Sequence, residues 1–175
     1  IIVSGAWWDF VDAVAAHRVG PLLAHHPARM KRILLRWSRD GNMWKRRTAI
    51  LAQLTFKRQT DLPFLYACIE PSQSSKEFFL RKAIGWALRQ YAWTDPHEVL
   101  RYVRRNRDRL SPLTKREALK NVLRSGLLRR FVIEADDVAD AIVRAMEKGK
   151  SESVVPWFPY RVVGIAQAVA PGLVA

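Results

Sequence analysis

The chain has 175 residues, about half apolar and a quarter charged, which suits one domain with a buried core and excludes a disordered segment. No apolar run reaches the roughly 18 residues of a membrane span, and no basic-then-apolar leader opens the sequence. The formal net charge is +14 and lies unevenly: residues 1–121 hold 23 Lys+Arg against 10 Asp+Glu, a net +13, while residues 122–175 hold 7 against 6, a net +1. A basic body of this kind attracts polyanions, because each neutralised phosphate releases condensed counterions. On charge alone, DNA, RNA and anionic membrane surfaces all qualify.

Taken in chain order, residues 7–121 read as helices. Residues 7–19 set Trp8, Val11, Asp12, Ala15 and Ala16 at helical spacing, and Gly20-Pro21 is expected to end that helix. A short piece follows from Leu22 and breaks at His26-Pro27. Residues 28–39 place Met30, Ile33, Leu34 and Trp37 on one side and Arg29, Arg32, Arg36 and Arg39 on another. Asp40-Gly41-Asn42 is a turn, and residues 43–57 are expected to form the next helix. Asp61 caps residues 62–70, and residues 71–75 are a loop. Residues 76–92 make the longest helix. Thr94 or Asp95 with Pro96 starts another that runs to about residue 107, and Ser111 caps the last one from Pro112. Trp8, Trp44 and Trp86 recur at 36 and 42 residues, within the range of helical-repeat arrays. The fold expected is all-α, stacked antiparallel helix pairs in an α-solenoid.

Residues 122–175 differ in character. Residues 135–147 predict an acidic-capped helix stopped by Gly149; Ser153-Val154-Val155-Pro156 predicts a short strand, and residues 161–170 an apolar helix. A domain boundary is expected near 121–130, with the tail poorly integrated. The chain opens at Ile1 rather than Met, straight into an aromatic motif, so an N-terminally truncated protein is expected. The single cysteine, Cys68, sits in an apolar helical stretch and reads as a buried thiol, in keeping with a reducing cytoplasm.

Four groups of residues are candidates for chemistry. Trp8 and Asp12, four apart, share a helix face, and Asp12 has apolar neighbours on either side. A carboxylate there needs either a basic partner on another helix or a task. In Trp44-Lys45-Arg46-Arg47-Thr48, the arginines either grip phosphate with their forked donors or form a solvated face. Phe79, Lys82 and Trp86, with Arg89 a turn on, lie on one stripe that either walls a nucleic-acid groove or packs into the core. Arg101, Arg104, Arg105, Arg107 and Arg109, followed by Lys115, Arg116 and Lys120, are either a backbone-binding surface or a solvated one. There is no glycine-rich phosphate loop and no Cys/His set at metal spacing, and the four histidines lack a visible nucleophile partner. No cofactor and no metal are expected.

Taken in order, Trp-Trp-Asp-x-Val-Asp, Trp-x-Arg-Arg-Thr-Ala-Ile, Glu-Phe-Phe-x-Arg-Lys-Ala-Ile-Gly-Trp-Ala-Leu-Arg and Leu-Ser-Pro-Leu-x-x-Arg-Glu-Ala-Leu-Lys resemble the DNA alkylation repair enzymes, alkylpurine DNA glycosylases built from HEAT-like repeats. The resemblance covers residues 6–121. It implies a basic groove holding duplex DNA with alkylated bases, and hydrolysis of the N-glycosidic bond of N3- and N7-alkylated purines without flipping of the base into a pocket. It implies that Asp12 is the essential carboxylate, that Trp8 and Trp86 flank the sugar, and that Arg47 contacts DNA. Arg46, Lys82 and Arg89 are the further DNA-binding candidates. A monomer that does not bind membranes is expected. The family carries further N-terminal helices, and the resemblance implies that these are the part expected to have been truncated. Residues 131–175 instead resemble the C-terminal end of a short-chain dehydrogenase/reductase, without that family's cofactor loop or Tyr-x-x-x-Lys pair. The rival reading is a non-catalytic helical-repeat module that binds nucleic acid or protein and does not require Asp12.

Overall fold

The computed structural model describes residues 2–124. Within them the chain runs through α1 (Trp8–Val14), a five-residue π-helical turn (Ala15–Val19), α2 (Gly20–His25), α3 (Pro27–Trp37), α4 (Met43–Leu51), a 3-10 turn (Lys57–Gln59), α5 (Leu62–Ile69), a second 3-10 turn (Glu70–Ser72), α6 (Phe78–Tyr91), α7 (Pro96–Arg105) and α8 (Pro112–Arg124). No strand occurs among the described residues, so they form the all-helical repeat architecture expected. The chain divides into two compact units, Ile1–Val132 and Ile133–Ala175. The helices expected over 135–147 and 161–170 and the strand near 153–156 lie outside the described residues.

Polar caps start several helices. The Asn42 side chain accepts from the Trp44 and Lys45 amides, Asp61 from Phe64, Asp95 from Glu98, and the Ser111 hydroxyl from Thr114. Each satisfies a backbone donor that the first helical turn leaves unpaired.

Two sequence expectations need correcting. Gly20-Pro21 does not end the first helix. The backbone continues through it, with Pro21 in the first turn of α2 and the wider π turn immediately before. A proline has no N–H and its ring crowds the carbonyl four residues back; a π turn shifts the hydrogen-bond register there and absorbs both defects. Gly20 fits because a Cβ at that position would stand 2.8 Å from the Ala52 carbonyl oxygen. The helix expected over 43–57 stops at Leu51. Beyond it, the buried Gln53 side chain donates to the Asp61 carbonyl (3.0 Å) and accepts from the Asp61 amide (2.8 Å), and Lys57 takes a left-handed φ of 54°. The turn is thus bound to the start of α5 rather than to its own helix.

The helices stack in two rows. In one, α1 packs on α4, α4 on α6 and α6 on α8; in the other, α3 packs on α5, and Tyr66 of α5 stacks on Tyr102 of α7 with ring centroids 4.3 Å apart. The three landmark tryptophans, Trp8, Trp44 and Trp86, all fall in the first row. One core cluster joins Ile50, Leu51, Leu80, Ile84, Leu88, Val99 and Val122; a second joins Val19, Leu23, Leu34, Phe64 and Cys68. Cys68 is fully buried, and burial pushes its thiol up to about 12. It is an inert core residue.

Candidate active site

Every candidate named for chemistry on the tryptophan-bearing motifs stands on the first row: Trp8 and Asp12 on α1, Arg46 and Arg47 on α4, Lys82, Trp86 and Arg89 on α6. They do not form a single cluster. The structure sorts them into three environments.

The first is a buried ion pair. Helix α1 turns Val11 into the core, the π turn that follows buries Ala15, and Asp12, next to Val11, is carried in with them to 6% exposure. Arg47 on α4 meets it at 4% exposure. The guanidinium donates from Nε to Asp12 Oδ1 at 2.6 Å and from Nη2 to Oδ2 at 2.7 Å, a bidentate fork, while Nη1 donates to the Phe79 carbonyl of α6. One arginine therefore ties three helices of the row together. Of the two readings open for Asp12 in the sequence, the basic partner on another helix is present. A task for the carboxylate remains compatible, since each carboxylate oxygen has a further acceptor position.

Aromatic rings crowd this pair. The Phe79 ring lies 5.2 Å from Trp44, 5.4 Å from Phe78 and 6.4 Å from Trp7, centroid to centroid, with the Arg47 guanidinium 5.9 Å above it. Trp8, one turn before Asp12, is 44% exposed, and Trp7, Phe10 and Phe78 are exposed as well. Exposed aromatic side chains thus occur on the same short segment as a nearly dry carboxylate.

The second environment holds Lys82, Trp86 and Arg89. They occupy successive turns of one α6 stripe, each half-buried, with Trp86 packed against the main core. Both cations reach across to Glu117 of α8: Lys82 Nζ to Oε1 and Arg89 Nη1 to Oε2, each at 2.9 Å. Lys120 adds a third donor to Oε1 at 2.8 Å. Burial works against the Glu117 charge, but hydrogen bonds from Lys120 and Lys82 outweigh it and hold the carboxyl below its ordinary range. Trp86 lies seven residues beyond Phe79, about 10 Å along the helix axis at 1.5 Å per residue.

The third is Arg46. It points away from Arg47 and donates to the Ser72 hydroxyl at 3.1 and 2.9 Å and to the Pro71 carbonyl at 3.3 Å. It binds the loop before α6. The basic block Arg101, Arg104 and Arg105 is exposed on α7, in the other row, where Arg101 pairs with Glu98. The α3 arginines are exposed too. Among the described residues no three His, Cys, Asp or Glu side chains gather to hold a metal, and no helix is long and apolar enough to cross a membrane.

Sequence reasoning passed over Glu117. A signal existed in Gly85, an isolated glycine inside a helical pattern, which points to close packing. A Cβ on Gly85 would stand 2.4 Å from the Glu117 Cβ and 3.0 Å from the Thr114 carbonyl oxygen, so only glycine lets α8 approach this closely.

A two-row helical repeat with its tryptophans, an Asp–Arg fork and tethered cations on one row defines the class to which this protein belongs. Residues 1–122 match the family of DNA alkylation repair enzymes, and the chain belongs to that family. It is similar to a solved structure of a predicted DNA alkylation repair enzyme from Enterococcus faecalis, with 38% sequence identity and a TM-score of 0.59 over 65% of this chain and 52% of that one. The chain spans about half the length of that neighbour. No curated protein matches it.

Proposed function

We propose that this protein is a DNA glycosylase that hydrolyses the N-glycosidic bond of N3- and N7-alkylated purines in duplex DNA, with Asp12 as its essential carboxylate. The observation that supports this reading most is the Asp12–Arg47 fork, buried at the foot of an exposed indole on the same helix face. A buried ion pair is weak evidence for stability, because desolvation offsets much of its attraction. Its retention beside an exposed aromatic face therefore favours a task beyond holding helices together.

The chemistry suits these side chains. An alkylated purine is already cationic and departs as a neutral base, so no general acid is needed. Positive charge then develops on the sugar as the bond breaks. A carboxylate aimed by a bidentate arginine stabilises that charge without reorganising, and it orients the attacking water. The Trp8 and Trp86 faces add cation–π attraction, each worth roughly 0.5–2 kcal/mol. Arg47, its side chain 4% exposed and three of its donors spent inside the protein, holds that carboxylate in its orientation. Arg46 supports the site by holding the 71–72 loop.

The test is release of free 7-methylguanine from a methylated duplex by the full chain. Release that disappears in Asp12→Asn, measured at a temperature where that variant is folded, supports the enzyme. Salt-sensitive DNA binding with no release by the native chain would establish the non-catalytic module instead.

A further inference from the structure

We propose that Arg29, Arg32 and Arg36 of α3 form a second DNA-docking face, which takes the backbone of a duplex segment other than the one held at the tryptophan-bearing row. The inference rests on the proposed function only in taking duplex DNA as the polyanion.

Between Asp12 and Asp40 the sequence has no acidic residue and six basic ones, Arg18, Arg29, Lys31, Arg32, Arg36 and Arg39. The structure divides those of α3 and its end by where they reach. Lys31 pairs with Asp61 at the start of α5. Arg39 folds back and donates to the Leu35 carbonyl at 3.3 Å. Arg29, Arg32 and Arg36 are exposed, and none of the three meets a carboxylate among the described residues. Spaced three and four apart, they lie within about 60° of one another at roughly 100° per residue. The middle of that arc is opposite Leu34, which is fully buried. Leu34 packs in the second core cluster with Ala49 of α4 and Phe64 of α5, so the stripe faces away from both helices.

Like charges three and four apart on a helix repel and weaken it. No carboxylate among the described residues offsets that repulsion at the stripe; an external anion does. Residue type and spacing fit a phosphate backbone. A guanidinium presents a planar fork of donors that matches phosphate oxygens in pairs. From 29 to 36 the stripe runs about 10 Å along the helix axis, at 1.5 Å per residue. One strand of B-form DNA carries about three phosphates over that length, at roughly 3.4 Å each. No large apolar side chain of α3 is exposed, so the face has nothing to insert into a bilayer, and a duplex suits it better. Because the stripe faces away from α4, and so from the row that carries Asp12, one chain can hold two duplex segments at once.

The experiment counts duplexes on the full 175-residue chain. A short undamaged duplex is added in excess at low salt, the mass of the complex is read by sedimentation, and the titration is repeated across a salt series. The native chain is expected to take two duplexes, the second more weakly. Arg29→Gln/Arg32→Gln/Arg36→Gln alters only exposed side chains, so the fold is kept. In that variant the slope of log K against log salt for the second duplex is expected to fall by roughly 2–3, about 0.9 per lost phosphate contact, while the first changes by less than about one contact's worth. A control with the same loss of charge, Arg107→Gln/Arg109→Gln/Arg116→Gln, is expected to change the second by less than about one contact's worth. One duplex per native chain overturns the inference, as does a second duplex unaffected by the α3 variant, or an equal fall in the control. An α3 variant that keeps both duplexes but loses binding to phosphatidylserine vesicles assigns the stripe to membranes and overturns it as well. A native chain that releases 7-methylguanine yet takes one duplex sinks this inference alone. A native chain that takes two, the second lost with the stripe, yet releases no base sinks the glycosylase reading alone. A native chain that binds no duplex ends both.

Discussion

Asp12 owes its position to its neighbours, since a helix that buries Val11 and Ala15 carries the residue between them part of the way inward. Arg47 completes the burial by supplying charge and geometry together. Removing one partner of such a pair strands the other, at a cost of roughly 3–5 kcal/mol. Asp12→Asn keeps an acceptor oxygen, so its loss belongs at the lower end, about 3 kcal/mol, read as a lower urea midpoint. Asp12→Asn combined with Arg47→Met removes both charges and is expected to recover much of that loss. If the double variant loses as much as the two single losses added together, the pair is not coupled as described. Glu117 yields a pH prediction. Its carboxyl lies below the ordinary value of 4.5 in the folded protein because Lys120 and Lys82 overcome the effect of burial. The stabilisation it provides is complete above the unfolded value and is lost as pH falls through the lower folded one. Acid unfolding should therefore begin below about pH 4.5, and Glu117→Gln should flatten the fall in stability there, as followed by circular dichroism.

At the scale of helices, close approach explains more than propensity. Gly85→Ala would ordinarily favour a helix by about 1 kcal/mol. Here the added methyl meets Glu117 Cβ, and overpacking of this kind costs typically 1–3 kcal/mol. A net loss is expected, seen as a lower melting temperature with an intact helical spectrum; a gain would mean that α6 and α8 are further apart than described. The elements legible in the sequence were those with local chemical signals: the caps at Asp61, Asp95 and Ser111, the amphipathic row of α3, and the tryptophan spacing that marks one row. Those misread depended on partners distant in sequence. Gly20-Pro21 looks like a stop because the π turn that accommodates it has no signature in composition. The end of α4 at Leu51 is set by Gln53 reaching Asp61, a contact invisible in either segment alone. The same holds for the site. Asp12, Arg47, Lys82 and Arg89 were identifiable as candidates, but their intramolecular partners were not, and Glu117 was hidden in an ordinary helical stretch.

At the scale of the molecule, positive charge covers both rows. Arg29, Arg32 and Arg36 on α3 and the arginines of α7 are exposed in one row, while Arg47, Lys82 and Arg89 of the tryptophan-bearing row are more buried and tied to carboxylates. The exposed arginines supply general attraction to a polyanion, while the tethered ones suit a defined register. The ion pair at Asp12 admits a purely structural role, and two substitutions that break the same pair separate that role from catalysis. Asp12→Asn removes the carboxylate; Arg47→Gln keeps it. The measurement is the single-turnover rate of 7-methylguanine release at saturating duplex, with both variants folded. The catalytic reading predicts that Asp12→Asn loses on the order of 100-fold or more, as when an electrostatic stabiliser of the transition state is removed, and that Arg47→Gln retains clearly measurable release. Equal loss in the two variants would contradict it and leave Asp12 as half of a structural pair.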